Sequence, residues 1–153
     1  MMEKTEFVTK DNVHEATNLE KIRSLMANAE RLGENEVVKR CKKRIFEIAG
    51  NEGETEIEIR LFQALAAYEE ILREKHNKAV RANYTKRKIK NKGVIQTLTD
   101  WALDKKVTPG FEALVSQGLE DFTGEKIVID FAEEFPVAVV EAASLKFQSI
   151  IKI

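Results

Sequence analysis

Apolar residues recur every three or four positions along most of this chain, and that spacing narrows its possible folds more than any other feature does. Leu19, Ile22, Met26, Ala29 and Leu32 form one such series, and Val37, Val38, Cys41, Ile45 and Ile48 form a second. Ile57, Leu61, Leu65, Tyr68 and Leu72 make a third, widened by Phe62, Ala64 and Ile71. A period near 3.6 puts each series on one face of an α-helix, whereas a half-buried strand alternates every second residue. Two prolines and seven glycines in 153 residues are also too little punctuation for many short strands. The expectation is an all-α chain.

Boundary signals divide it. Residues 1–16 lack apolar periodicity and read as a loose N-terminal arm. Thr17 and Glu20 match a capping box, in which hydroxyl and carboxylate each satisfy an unpaired backbone N–H. The first helix then runs to Gly33, the second from Asn35 to Gly50, with Lys39, Lys42 and Lys43 on the face opposite its stripe. So short a connection predicts an antiparallel helical hairpin over 17–50. An Asn-Glu-Gly-Glu linker follows, and 54–153 reads as the main multi-helix bundle on which the hairpin packs, the whole of 1–153 forming one domain.

In that bundle a long helix from about Thr55 to Lys75 is broad enough to be contacted on more than one side. Asn83 caps a short basic helix, Tyr84 to Lys92, that Gly93 stops. Val94, Ile95, Leu98, Trp101 and Ala102 mark the next, to about Lys105. Thr108-Pro109 opens another, which carries Phe111, Leu114 and Val115 and ends at Gly118. Residues 123–135 fit two patterns. Ile127, Ile129 and Phe131 alternate as in a strand, but a Thr123 cap and the Ile127–Phe131–Phe135 spacing suit a helix. No partner strand is evident, so helix is preferred, a single short strand near 126–131 being the alternative. Pro136 starts a last helix with Val137, Val140, Ala143 and Phe147 inward.

The composition, 43% apolar and 33% charged, suits helices with charged outer faces. One cysteine cannot form an internal disulfide, the first residues lack the apolar run of a secretory signal, and no stretch approaches the ~18 residues of a membrane helix. A soluble cytoplasmic protein with no membrane partner is expected.

The charge is unevenly distributed. Between Arg73 and Lys92 nine Lys or Arg stand against one acid, Glu74, while elsewhere 16 bases face 25 acids. From Tyr84 to Lys92 only Tyr84 and Ile89 are apolar, so this helix must be held by neighbours and stay largely exposed. Cations at this density suit a phosphate backbone, since each neutralised phosphate releases counterions. The expected phosphate contacts are Lys78, Arg81, Lys86, Arg87, Lys88, Lys90 and Lys92, with Lys39, Lys42 and Lys43 extending the surface if the hairpin docks on that side. Asn83, Thr85 and Asn91 can add hydrogen bonds, and Tyr84 can stack on a base. The break at Gly93 before Gln96, Thr97 and Thr99 resembles a helix-turn-helix arrangement.

The first expectation is therefore a non-enzymatic nucleic-acid-binding module, with DNA ranked ahead of RNA. Its rival is a protein-interaction module or inhibitor that grips an acidic protein surface; plain solvation of a surface is the bland alternative. Catalysis has little support. His14 and His76 have no ligand partners at metal spacing, Cys41 lies on an apolar stripe, and no phosphate loop, nucleophile elbow or dinucleotide fingerprint occurs. Asp100, Asp104 and Lys106 come nearest to a metal-dependent nuclease, but two carboxylates four apart on a helix are commonplace. No metal and no cofactor are expected. Trp101 and Phe111 read as core anchors.

Overall fold

In the computed structural model, which describes residues 7–76, 83–104 and 109–150, the first apolar series becomes helix α1, Leu19–Leu32. Its cap is Asn18, whose side-chain oxygen accepts the Lys21 N–H at 3.1 Å, so the helix starts one residue after the Thr17 capping box. An asparagine oxygen serves this purpose as well as a hydroxyl. Gly33 ends α1 in the left-handed conformation, φ 72°. Glu34 N–H then reaches Ala29 O at 2.8 Å and Gly33 N–H reaches Glu30 O at 3.2 Å, the paired bonds of a Schellman turn. Helix α2, Asn35–Gly50, follows at once.

The chain forms two compact units, Met1–Ala49 and Gly50–Ile153. In the first, Ile22, Met26 and Ala29 of α1 and Val37, Cys41, Ile45 and Phe46 of α2 are buried. Arg44, late in α2, donates to Ala16 O just ahead of α1 at 2.7 Å. Cys41, earlier in α2, feels the charge of Glu30 near the end of α1. The two helices therefore run antiparallel.

Two expectations need correction here. Within the supposed loose arm, Thr9–Ala16 is folded: Val13 and Ala16 are buried, Val13–Glu15 makes a 3-10 turn, and Arg40 donates to Lys10 O at 3.3 Å. Guanidinium groups on α2 hold this segment through its backbone carbonyls, which leaves no trace in apolar spacing. Residues 1–6 of the arm lie outside the described residues. Lys42, expected on the outer face, is buried, only 7% exposed. It shares an i, i+4 row with Phe46, so the buried arc of α2 is wider than its apolar stripe.

Burial, and then the Glu30 carboxylate, push the Cys41 thiol up to about 11. Because the thiolate is the reactive species, a thiol reagent at pH 8 should modify native Cys41 about two orders of magnitude more slowly than the denatured chain. Labelling at equal rates would mean that α1 and α2 separate readily.

The second unit begins with a loop folded back on its first helix. A Cβ at Gly53 would stand 2.5 Å from Ile59 N, so the close approach needs glycine. Helix α3, Glu56–His76, starts behind Thr55, whose hydroxyl accepts the Glu58 N–H at 3.2 Å. Among the described residues, four more helices follow the basic segment α4, Asn83–Lys92: α5, Val94–Leu103; α6, Pro109–Ser116; α7, Gly124–Asp130; and α8, Val137–Ile150. Leu61 and Ala64 of α3, Leu98 and Ala102 of α5, Ile127 and Val128 of α7, and Val139 and Ala143 of α8 build one core together with Phe135. The fold is all-α.

Helix α7 resolves the ambiguous stretch. Thr123 caps it by accepting the Lys126 N–H at 3.2 Å, and no strand occurs among the described residues. It packs against α3, α5 and α8, and Asp130 at its end binds Arg60 of α3 at 2.9 Å and Lys126 at 3.0 Å. Burial pushes the Asp130 carboxyl up, but the hydrogen bonds from Lys126 and Arg60 outweigh it and hold the group below the usual carboxylate range. In α8 the inward residues are Val139 and Ala143, while Val137, expected inward, is 72% exposed. The first turn, Val-Ala-Val-Val, is apolar all round and so gives no phase. No described helix is long and apolar enough to cross a membrane.

Candidate nucleic-acid interface

Helix α4 has one apolar side chain in the described core, Ile89, which packs against the cluster formed by α3, α5, α7 and α8. Two ion pairs add to this anchor. Lys86 Nζ lies 3.6 Å from Glu69 of α3, and Lys88 Nζ lies 2.5 Å from Asp100 of α5. The hydrogen bonds from Lys88 and then Gln96 hold the Asp100 carboxyl below its ordinary value, against a small opposing effect of burial. Two of the expected phosphate contacts therefore fasten α4 to its own unit.

Arg87, Lys90, Asn91 and Lys92 are exposed, and among the described residues none of these three cations forms an ion pair. Thr85 is half-buried. Asn83 and Tyr84 form the first residues of α4, while Lys78 and Arg81 lie outside the described residues. Lys39 is half-buried and Lys43 exposed on α2, in the other unit; Lys42, being buried, offers no surface to a phosphate.

Only Gly93 separates α4 from α5, at φ 89°, a conformation that strongly favours glycine. Its carbonyl accepts both the backbone N–H and the hydroxyl of Thr97, at 3.2 and 2.8 Å. The joint is shorter than the three- or four-residue turn of DNA-reading helix pairs. Thr97 is buried and Gln96 binds Asp100 at 2.8 Å, so the exposed cations sit on α4 itself rather than on the helix after the turn. Asp100 is committed to Lys88 and Gln96, and Asp104 is the residue that follows α5. Lys106 lies outside the described residues, among which no cluster of three or more metal-ligating side chains occurs.

A cavity of about 220 Å³, which no sequence pattern announced, has Thr85 of α4 in its lining. Tyr68, Trp101, Phe111 and Phe122 supply aromatic walls, and Glu125 and Lys146 a polar corner. The Trp101 ring lies on the backbone of Gly124, where a Cβ would come within 2.3 Å of Cε3. Lys146 Nζ donates to Trp101 O at 2.7 Å and to Glu125 Oε2 at 3.0 Å, with both charged side chains about nine-tenths buried. These residues come from α3 through α8, and only a glycine directly behind a cap hinted at a close approach.

No protein-family model matches this chain, and no curated protein or solved structure matches it either.

Proposed function

We propose that this chain is a cytoplasmic, non-enzymatic nucleic-acid-binding module that meets phosphates through the exposed side of α4. The observation that carries this reading is the division of labour along the helix. Lys86 and Lys88 pair with Glu69 and Asp100 of neighbouring helices, whereas Arg87, Lys90 and Lys92 stand exposed on a helix that Ile89 anchors to the core. The backbone that carries these cations is already helical, so binding need not order it, and Asn91 beside them can donate to a phosphate oxygen. The cytoplasmic assignment is supported by the buried free thiol of Cys41, which suits a reducing compartment.

Three phosphate contacts imply a slope of log affinity against log salt of about −3 on duplex DNA and about −2 on single strands. The test is a titration of the purified protein with labelled duplex DNA, single-stranded DNA and RNA, at low and at physiological salt. Duplex DNA is expected to bind with the steeper slope. Failure to bind any of the three at low salt, where the electrostatic attraction is largest, would remove the nucleic-acid reading. The small size of the exposed trio favours a second reading, a short acidic stretch of a partner protein, which that outcome would leave in place.

A further inference from the structure

The cavity beside α4 has a size and a chemistry. At about 220 Å³ it exceeds the ~150 Å³ pocket that takes up benzene and falls short of the ~300 Å³ at which drug-sized pockets begin. One planar ring system fits; a dinucleotide does not. Its walls are aromatic, which favours a flat π-face. Its corner is polar in a particular way. An ammonium carries three N–H donors, and Lys146 uses two of them on Trp101 O and Glu125 Oε2. Both charged side chains line the cavity, and a third ammonium N–H with a second carboxylate oxygen is the donor–acceptor chemistry that an amide-like edge of a heterocycle complements. Thr85 belongs both to the cavity lining and to the cationic helix.

We infer that this cavity binds a nucleobase, stacked on its aromatic wall and held by Glu125 and Lys146, carried either by a free nucleoside or by an unstacked base of a strand. The strand form rests on the nucleic-acid reading above; the nucleoside form does not.

Trp101 is the only tryptophan of the chain, so its emission reports occupancy directly. The four common nucleosides are titrated into the full chain, with indene as a ring of purine size that lacks a polar edge. Saturable quenching by at least one nucleoside, tighter than by indene, is expected. Indene binding as tightly as the nucleosides, or no nucleoside binding up to millimolar concentration, would overturn the inference. Tyr68 is partly exposed and Thr85 half-buried, so Tyr68→Ala and Thr85→Val keep the fold testable. Tyr68→Ala should weaken the nucleoside roughly fivefold to a hundredfold, the range for loss of one base–aromatic contact. Unchanged affinity in both variants would place the nucleoside elsewhere and overturn the site.

The source is separated by a single-stranded oligonucleotide carrying the preferred base and by the same strand with that position abasic. A strand that binds more than tenfold tighter than the nucleoside, and loses that gain when abasic, identifies a strand-borne base. Equal affinity of strand and nucleoside identifies the free nucleoside. Arg87→Glu, Lys90→Glu and Lys92→Glu together should abolish the strand's advantage and leave nucleoside affinity unchanged, which keeps failure of the cavity distinct from failure of the phosphate surface.

Discussion

Lys146→Met should destabilise the second unit by about 3–5 kcal/mol, the range measured when one member of a buried ion pair is removed. The substitution strands the Glu125 carboxylate, which is only 10% exposed, and also deprives Trp101 O of its donor at 2.7 Å. The size of the effect comes from leaving a charge without compensation rather than from the attraction itself, because desolvation offsets most of what the pair gains. The double variant Glu125→Met with Lys146→Met should therefore recover most of the loss. Urea unfolding of the three proteins checks this. A single-site loss below about 1 kcal/mol would mean that water reaches the pair, which would then behave as a surface pair does.

The second large effect concerns binding. Converting Arg87, Lys90 and Lys92 together to glutamate replaces three exposed cations with three anions at the proposed phosphate surface. Affinity for duplex DNA at low salt should fall at least about a hundredfold, since both the attraction and the counterion release are lost. The unfolding free energy should change by less than about 1 kcal/mol, because these side chains make no ion pair among the described residues and exposed charges contribute little to folding. Lys86→Ala and Lys88→Ala should do the reverse, weakening affinity little while loosening α4 from Glu69 and Asp100. Lys10→Glu, an exposed charge in the first unit, should leave binding as it is. A triple variant that still binds like the parent would show that α4 is not the contact surface.

Helices were legible because burial imposes a period, and the period survives in α1, α2, α3 and α5 even where the ends of a series, such as Leu19 and Leu32, turn out exposed. It failed where every residue of a turn is apolar, as at Val137–Val140, and where a segment is held by its carbonyls, as at Lys10 and Ala16. The basic helix was legible as a concentration of charge. Which of its lysines remain exposed was not, because Glu69 and Asp100 are brought to Lys86 and Lys88 from α3 and α5 by the fold itself. The cavity was hidden for the same reason, its walls and polar corner being drawn from six helices and the segments between them.

Helix α7 has seven residues, Gly124–Asp130, well under the ~12–15 needed for a helix to hold its shape alone in water. It nevertheless lies against α3, α5 and α8. So short a helix is a poor nucleus for folding, since its turns depend on α3, about 50 residues earlier, and on α8 packing around it. The second unit is therefore expected to form cooperatively, α7 ordering together with its neighbours. A nascent chain still lacking α8 would present part of the Ile127 and Val128 surface to solvent, so this unit settles only after α8 has been made.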